Sequence, residues 1–140
     1  MKMVVFLLAI LTIGVVPQVG SAKGVRLREE FTMRIGQRVK VSGTHLRIDF
    51  VDVLDDTRCP SDVQCISAGN AALNLELRWK SRPPNSVLVN TTSGPAQAEI
   101  RRFVVKLVRL VPNPVAGQSI DKADYLAALL VTEDDDPDHQ

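Results

Sequence analysis

Between residues 30 and 131 short rows of the chain alternate apolar and polar positions with a period of two. Leu46, Ile48 and Phe50 are separated by Arg47 and Asp49, and Leu73, Leu75, Leu77 and Trp79 by Asn74, Glu76 and Arg78. Successive side chains of a strand point to opposite faces, so each row predicts a strand with one face turned inward. Further strands are expected at 30–35, 37–41, 87–91, 100–111 and 125–131. Turn residues separate them: Gly36, Ser42-Gly43, Pro83-Pro84-Asn85, Ser93-Gly94-Pro95 and Pro112-Asn113-Pro114. Val51 and Val53 continue the apolar side after Phe50 on the opposite parity, which predicts a bulge near Phe50-Val51. Past residue 22 no segment has a 3.6-residue apolar period with capping residues. Residues 121–124 have room for one helical turn at most.

Seven short strands with turns every eight to twelve residues predict one all-β domain. The expected architecture is an antiparallel β-sandwich of Ig-like or Greek-key type, with a small closed β-barrel as the alternative. Two strands are apolar on both sides: Phe103, Val105 and Leu107 alternate with Val104 and Val108, and Leu126, Ala128 and Leu130 with Ala127, Leu129 and Val131. Such strands belong in the middle of a sheet or under loops. The two cysteines, Cys59 and Cys65, are too close to form the inter-sheet bridge of an Ig domain.

The N-terminal pattern sets the compartment. Lys2 precedes an apolar run over 3–16, Pro17 breaks it, and Gly20-Ser21-Ala22 supplies small residues for cleavage. Residues 1–22 therefore read as a signal peptide, too short for the roughly 20 apolar residues of a membrane span. The chain is expected to be exported, to the periplasm or the medium, with no membrane span after cleavage. The domain is expected over 23–132, with sixteen basic and eleven acidic residues, a net of +5. Residues 133–140, with Glu133, Asp134, Asp135, Asp136 and Asp138, read as a disordered acidic tail. Along the chain no Arg/Lys cluster is interleaved with aromatics, so nucleic acid is not an expected partner.

Against this background one segment stands apart, the acidic loop over 55–70 that holds both cysteines. In an exported chain, cysteines at this spacing are expected to pair, and a Cys59–Cys65 link closing so short a loop is worth about 2 kcal/mol. A redox or zinc site fits poorly, because the spacing is not C-x-x-C and only His45 and His139 are available as further ligands. Gly69 before Asn70 is expected to provide a positive φ that restarts the next strand.

The stretch from Phe50 through Asp55-Asp56-Thr57-Arg58-Cys59-Pro60 to Cys65-Ile66-Ser67-Ala68-Gly69-Asn70 resembles a family of small exported bacterial proteins. That family carries an Asp-Ser-Arg-Cys-Pro…Cys…Ala-Gly signature, and many of its members are lipoproteins. Thr57 replaces the usual Ser, and Ser67 stands where an aromatic residue, often Trp, is common. The resemblance implies export, the disulfide and a compact β domain, and no particular activity.

Three classes of function follow. Asp55, Asp56 and Asp62, with Asp52 nearby, offer oxygen ligands for Ca²⁺, the one candidate cofactor; the same acids can instead cap turns and pair with Arg58. Alternatively the pinned tip, Pro60, Ser61, Asp62, Val63 and Gln64 with Arg58 and Ser67, is a binding loop for a protein or envelope ligand, or an inhibitor-like loop, or simply a protected connection. An enzyme, such as a small hydrolase, is the least favoured class. There is no G-x-S-x-G elbow or phosphate loop, His45 reads as structural, and Trp79 as core or rim. The expectation is a non-catalytic binding or structural module.

Overall fold

The computed structural model describes residues 24–134. The expected signal peptide, the later residues of the acidic tail and His139 lie outside them. Nine strands form two sheets: β1 (Gly24–Val25), β2 (Glu30–Arg34), β3 (Arg38–Val41), β4 (Leu46–Asp56), β5 (Ala71–Trp79), β6 (Asn85–Asn90), β7 (Gln97–Ile100), β8 (Phe103–Val111) and β9 (Leu126–Glu133). The first sheet has the order β1-β3-β4-β5-β6 and the second β2-β9-β8-β7. All pairs are antiparallel except β1 with β3. The two sheets are open and packed face to face, so the fold is a β-sandwich and the closed barrel does not form.

The alternating rows face as expected. Leu46, Ile48, Phe50, Leu73, Leu75 and Leu77 are all fully buried, and they meet Met33, Phe103, Val105 and Leu129 from the opposite sheet. No charged residue is buried among those described. The doubly apolar strands β8 and β9 take the central places of the second sheet. Trp79 is half-buried at the rim, its ring 5.5 Å from that of Phe103 and 5.8 Å from that of exposed His45. A register shift between Phe50 and Asp52 confirms the bulge, and a second follows between Val53 and Asp55.

Three boundaries differ from the sequence reading. The expected strand over 100–111 is two strands, because the chain reverses at Arg101-Arg102 and pairs Ile100 with Phe103. The two-residue β1 adds an edge, making nine strands where seven were expected. Finally, β9 runs through Glu133, which pairs with Phe103 and is 2.7 Å from Arg102, so the domain extends past Thr132. The one helical turn is a 3₁₀ turn at Lys122–Asp124.

Candidate functional site

The fourteen residues between β4 and β5 do not leave the sheet at once. The Thr57 amide donates to the Asn70 carbonyl at 2.7 Å and the Cys59 amide to the Ala68 carbonyl at 2.8 Å, so the hairpin continues as a stem. Gly69 is required inside it. Its φ is +68°, and a Cβ placed there would lie 1.8 Å from the Thr57 carbonyl oxygen. Asn70 ties the stem sideways: its side-chain oxygen accepts from the amides of Thr92 and Ser93 at 3.0 and 3.1 Å, and its amide group donates to Asn90 at 2.9 Å.

Arg58 fixes the stem to the other sheet. Its Nε and Nη2 donate to both oxygens of Asp56 at 2.8 and 2.7 Å. Nη1 donates to the carbonyl of Leu110, near the end of β8, at 2.6 Å, and Nη2 donates also to that of Pro112, just past the strand, at 2.9 Å. The Tyr125 hydroxyl, just before β9, donates to the same Asp56 carboxylate at 2.9 Å. Burial by itself would raise the Asp56 carboxyl. The hydrogen bonds from Arg58 and Tyr125 and the adjacent positive charge outweigh it and hold the group below the ordinary carboxylate range. The Tyr125 phenol is pushed up to about 12, first by burial and then by its bond to the Asp56 anion.

Beyond Arg58 the tip is closed by the Cys59–Cys65 disulfide, with the two Cα atoms 5.9 Å apart. It also rests on the connection between β8 and β9. The Ser61 amide donates to the Pro114 carbonyl at 2.9 Å, and Asp62 Oδ1 accepts from the Ala116 amide at 2.9 Å. Five of the singled-out residues, Arg58, Cys59, Ser61, Asp62 and Cys65, are thus tied within the chain. Val63, Gln64 and Ser67 are exposed, and Pro60 is half-buried. Beside them Ile66, which sequence reasoning did not single out, is fully exposed, and Val63 is 47% exposed.

The three acids proposed as calcium ligands do not converge. Asp56 is held by Arg58 and Tyr125, Asp62 by the Ala116 amide, and Asp55 is exposed. Nearby Asp52 binds Lys122, with Nζ 2.6 Å from both carboxylate oxygens. Among the described residues no group of three or more His, Cys, Asp or Glu side chains is placed to hold a metal ion. The Asp56–Arg58 pair follows the alternative reading of those acids. The acceptors at Leu110, Pro112 and Pro114 were missed because all three contacts to Arg58 and Ser61 use main-chain carbonyls, which no residue type announces, and Tyr125 was missed because it lies 69 residues from Asp56 in the chain. Among the described residues no helix is long and apolar enough to cross a membrane.

A scan against protein-family models gives no match, and neither a curated protein nor a solved structure is significantly similar to the chain.

Proposed function

We propose that the protein is an exported, non-catalytic binding module whose recognition element is the tip of the disulfide-pinned loop. One observation carries this reading. Val63 and Ile66 are held out in solvent on a loop fixed from behind by a disulfide, an Arg58 clamp and two hydrogen bonds to the β8–β9 connection. A connection of this length without its own secondary structure is uncommon in a compact domain unless it serves a purpose. An apolar side chain fully exposed on an ordered loop gains nothing for folding, while a pre-ordered tip lowers the entropy lost on binding. Export is supported by the N-terminal pattern, by the disulfide and by the resemblance of the loop signature to exported bacterial proteins.

The test is a photo-reactive amino acid at position 66, activated in intact cells of the source organism. A discrete cross-linked product that disappears with Val63→Asp, while the purified variant melts within about 2 °C of the parent, is the expected result. No product at position 66, or the same product from a probe at Val108 on the opposite sheet, would remove the loop from the account.

A further inference from the structure

At the end of β4 and β5 away from the loop, the outward side chains of the first sheet stand in rows across the strands. In one row Arg38, Asp49 and Glu76 are neighbours, and Arg38 holds both oxygens of Asp49 at 2.6 and 2.7 Å. In the adjacent row the neighbours are Lys40, Arg47 and Arg78, with Lys40 opposite Arg47 and Arg47 opposite Arg78. Like charges directly opposite on adjacent strands destabilise a sheet. Among the described residues no carboxylate comes within ion-pair distance of these three or of Lys80. With His45 and Ser81 the four cations wall an open basin of about 540 Å³. Lys80 also lines a second basin of about 380 Å³, shared with Trp79, Arg82, Arg101 and Arg102.

The backbone gives a second, independent sign. Arg28, Lys80 and Arg101, at φ of 62°, 54° and 58°, are the non-glycine residues with positive φ among those described. Glycine takes this conformation without strain and asparagine with little, whereas long side chains are disfavoured there. All three positions carry a cation, and two of them line the basins. Strained backbone that persists at such positions points to function more than to stability.

We propose that the two basins form one binding site for a multiply phosphorylated ligand. Neighbouring strands lie about 4.8 Å apart, so the Lys40–Arg47–Arg78 row spans about 10 Å, enough to hold one phosphate group between the two guanidinium forks with Lys40 beside it. Arginine meets tetrahedral oxyanions with two parallel hydrogen bonds, and lysine adds a point charge. Lys80 links this phosphate to a second one held by Arg82 and Arg101. Bound anions would replace the repulsion within the row by attraction. The sequence names one rival occupant: β9 ends at this same end, and the chain continues with Asp134, Asp135, Asp136 and Asp138.

The test titrates the full chain with phosphate, pyrophosphate and tripolyphosphate at about 0.15 M salt, following amide shifts by NMR. Affinity is expected to rise with each added phosphate, with saturable shifts at Arg47, Arg78 and Lys80. The double variant Arg47→Gln/Arg78→Gln is expected to weaken tripolyphosphate binding at least about 30-fold, while Arg109→Gln, whose partner is Glu30, has no effect. Flotation with vesicles containing phosphatidic acid then separates a lipid phosphate from a soluble one. Retention by those vesicles and not by phosphatidylcholine, sensitive to the double variant, assigns the lipid source, and tripolyphosphate binding without vesicle retention assigns the soluble source. Absence of saturable binding would overturn the proposal. So would binding that emerges only after Asp134, Asp135, Asp136 and Asp138 are changed to Asn, because the basin would then belong to the chain's own end.

Discussion

The two ends of the sandwich handle charge in opposite ways. They are separated by the length of β4, eleven residues and about 35 Å. At the loop end Arg58 has a bidentate carboxylate, two carbonyl acceptors and a tyrosine hydroxyl bonded to its partner, and it is nearly buried. At the other end Arg47, Arg78, Lys40 and Lys80 face solvent without a carboxylate in reach among the described residues. A fold needs the first arrangement, since a half-buried charge is tolerable only when its hydrogen bonds are satisfied. It does not need the second. Unpaired like charges in adjacent strands weaken the sheet, and the proposed phosphorylated ligand would pair with them. The loop end therefore stabilises, and in the proposed functions it presents a tip for binding while the basic end attracts an anion.

The largest effect that would break this contrast is at Gly69. Gly69→Ala places a Cβ against the Thr57 carbonyl at positive φ, so a loss of about 3 kcal/mol is expected in urea unfolding. A loss under about 0.5 kcal/mol would mean that the stem is loose and the tip is not held.

Next comes Asp56→Asn, which leaves Arg58 without its anion and is expected to cost about 2 kcal/mol at neutral pH. Because the folded-state carboxyl lies below the ordinary 3.8, its stabilisation is complete above that value and fades as the pH falls further. The variant should therefore lose less stability in acid than the parent, and parallel acid profiles would detach Asp56 from the clamp. Replacing both cysteines by serine should lower stability by about 2 kcal/mol, the value for so short a closed loop. The Thr57 and Cys59 amides should stay protected from hydrogen exchange, since the stem has its own bonds.

The smallest expected effect is at Tyr125, whose phenol is pushed up from 10.0 to about 12 by burial and by the Asp56 anion. A raised phenol contributes stability that is intact below 10.0 and is lost as the pH rises toward 12. Tyr125→Phe should flatten that alkaline decline, and an unchanged decline would place its origin elsewhere.

Much of the scaffold was legible because local rules govern it. The parity of Leu73, Leu75, Leu77 and Trp79 and of Leu46, Ile48 and Phe50 fixes which face is buried, and the parity break at Val51 marks the bulge. The expected export and the cysteine spacing together pointed to the disulfide, and Gly69 to the positive φ before β5. What stayed hidden depends on distant pairing. The reversal at Arg101-Arg102 carries no Gly, Pro or Asn, so an apolar run on both sides of it reads as one strand. The Lys40–Arg47–Arg78 row exists only through the register of β3, β4 and β5. With fourteen residues between β4 and β5, no turn type sets that register. Hence a chain with no linear cluster of cations among aromatics builds one in space. The disulfide alone was legible as the tip's tether, because Pro114 and Ala116, which also hold it, lie more than fifty residues away.

The most direct test of the contrast applies one chemical change to both ends. Arg58→Gln and Arg47→Gln each remove one positive charge and keep a hydrogen-bonding side chain, and thermal melts in phosphate-free buffer at low salt compare them. The account predicts opposite signs. Arg58→Gln should lower Tm by roughly 8–10 °C, equivalent to about 2–3 kcal/mol for the lost clamp, and Arg47→Gln should raise it by about 2 °C as the repulsion in the row is relieved. Shifts of the same sign at both ends would contradict it.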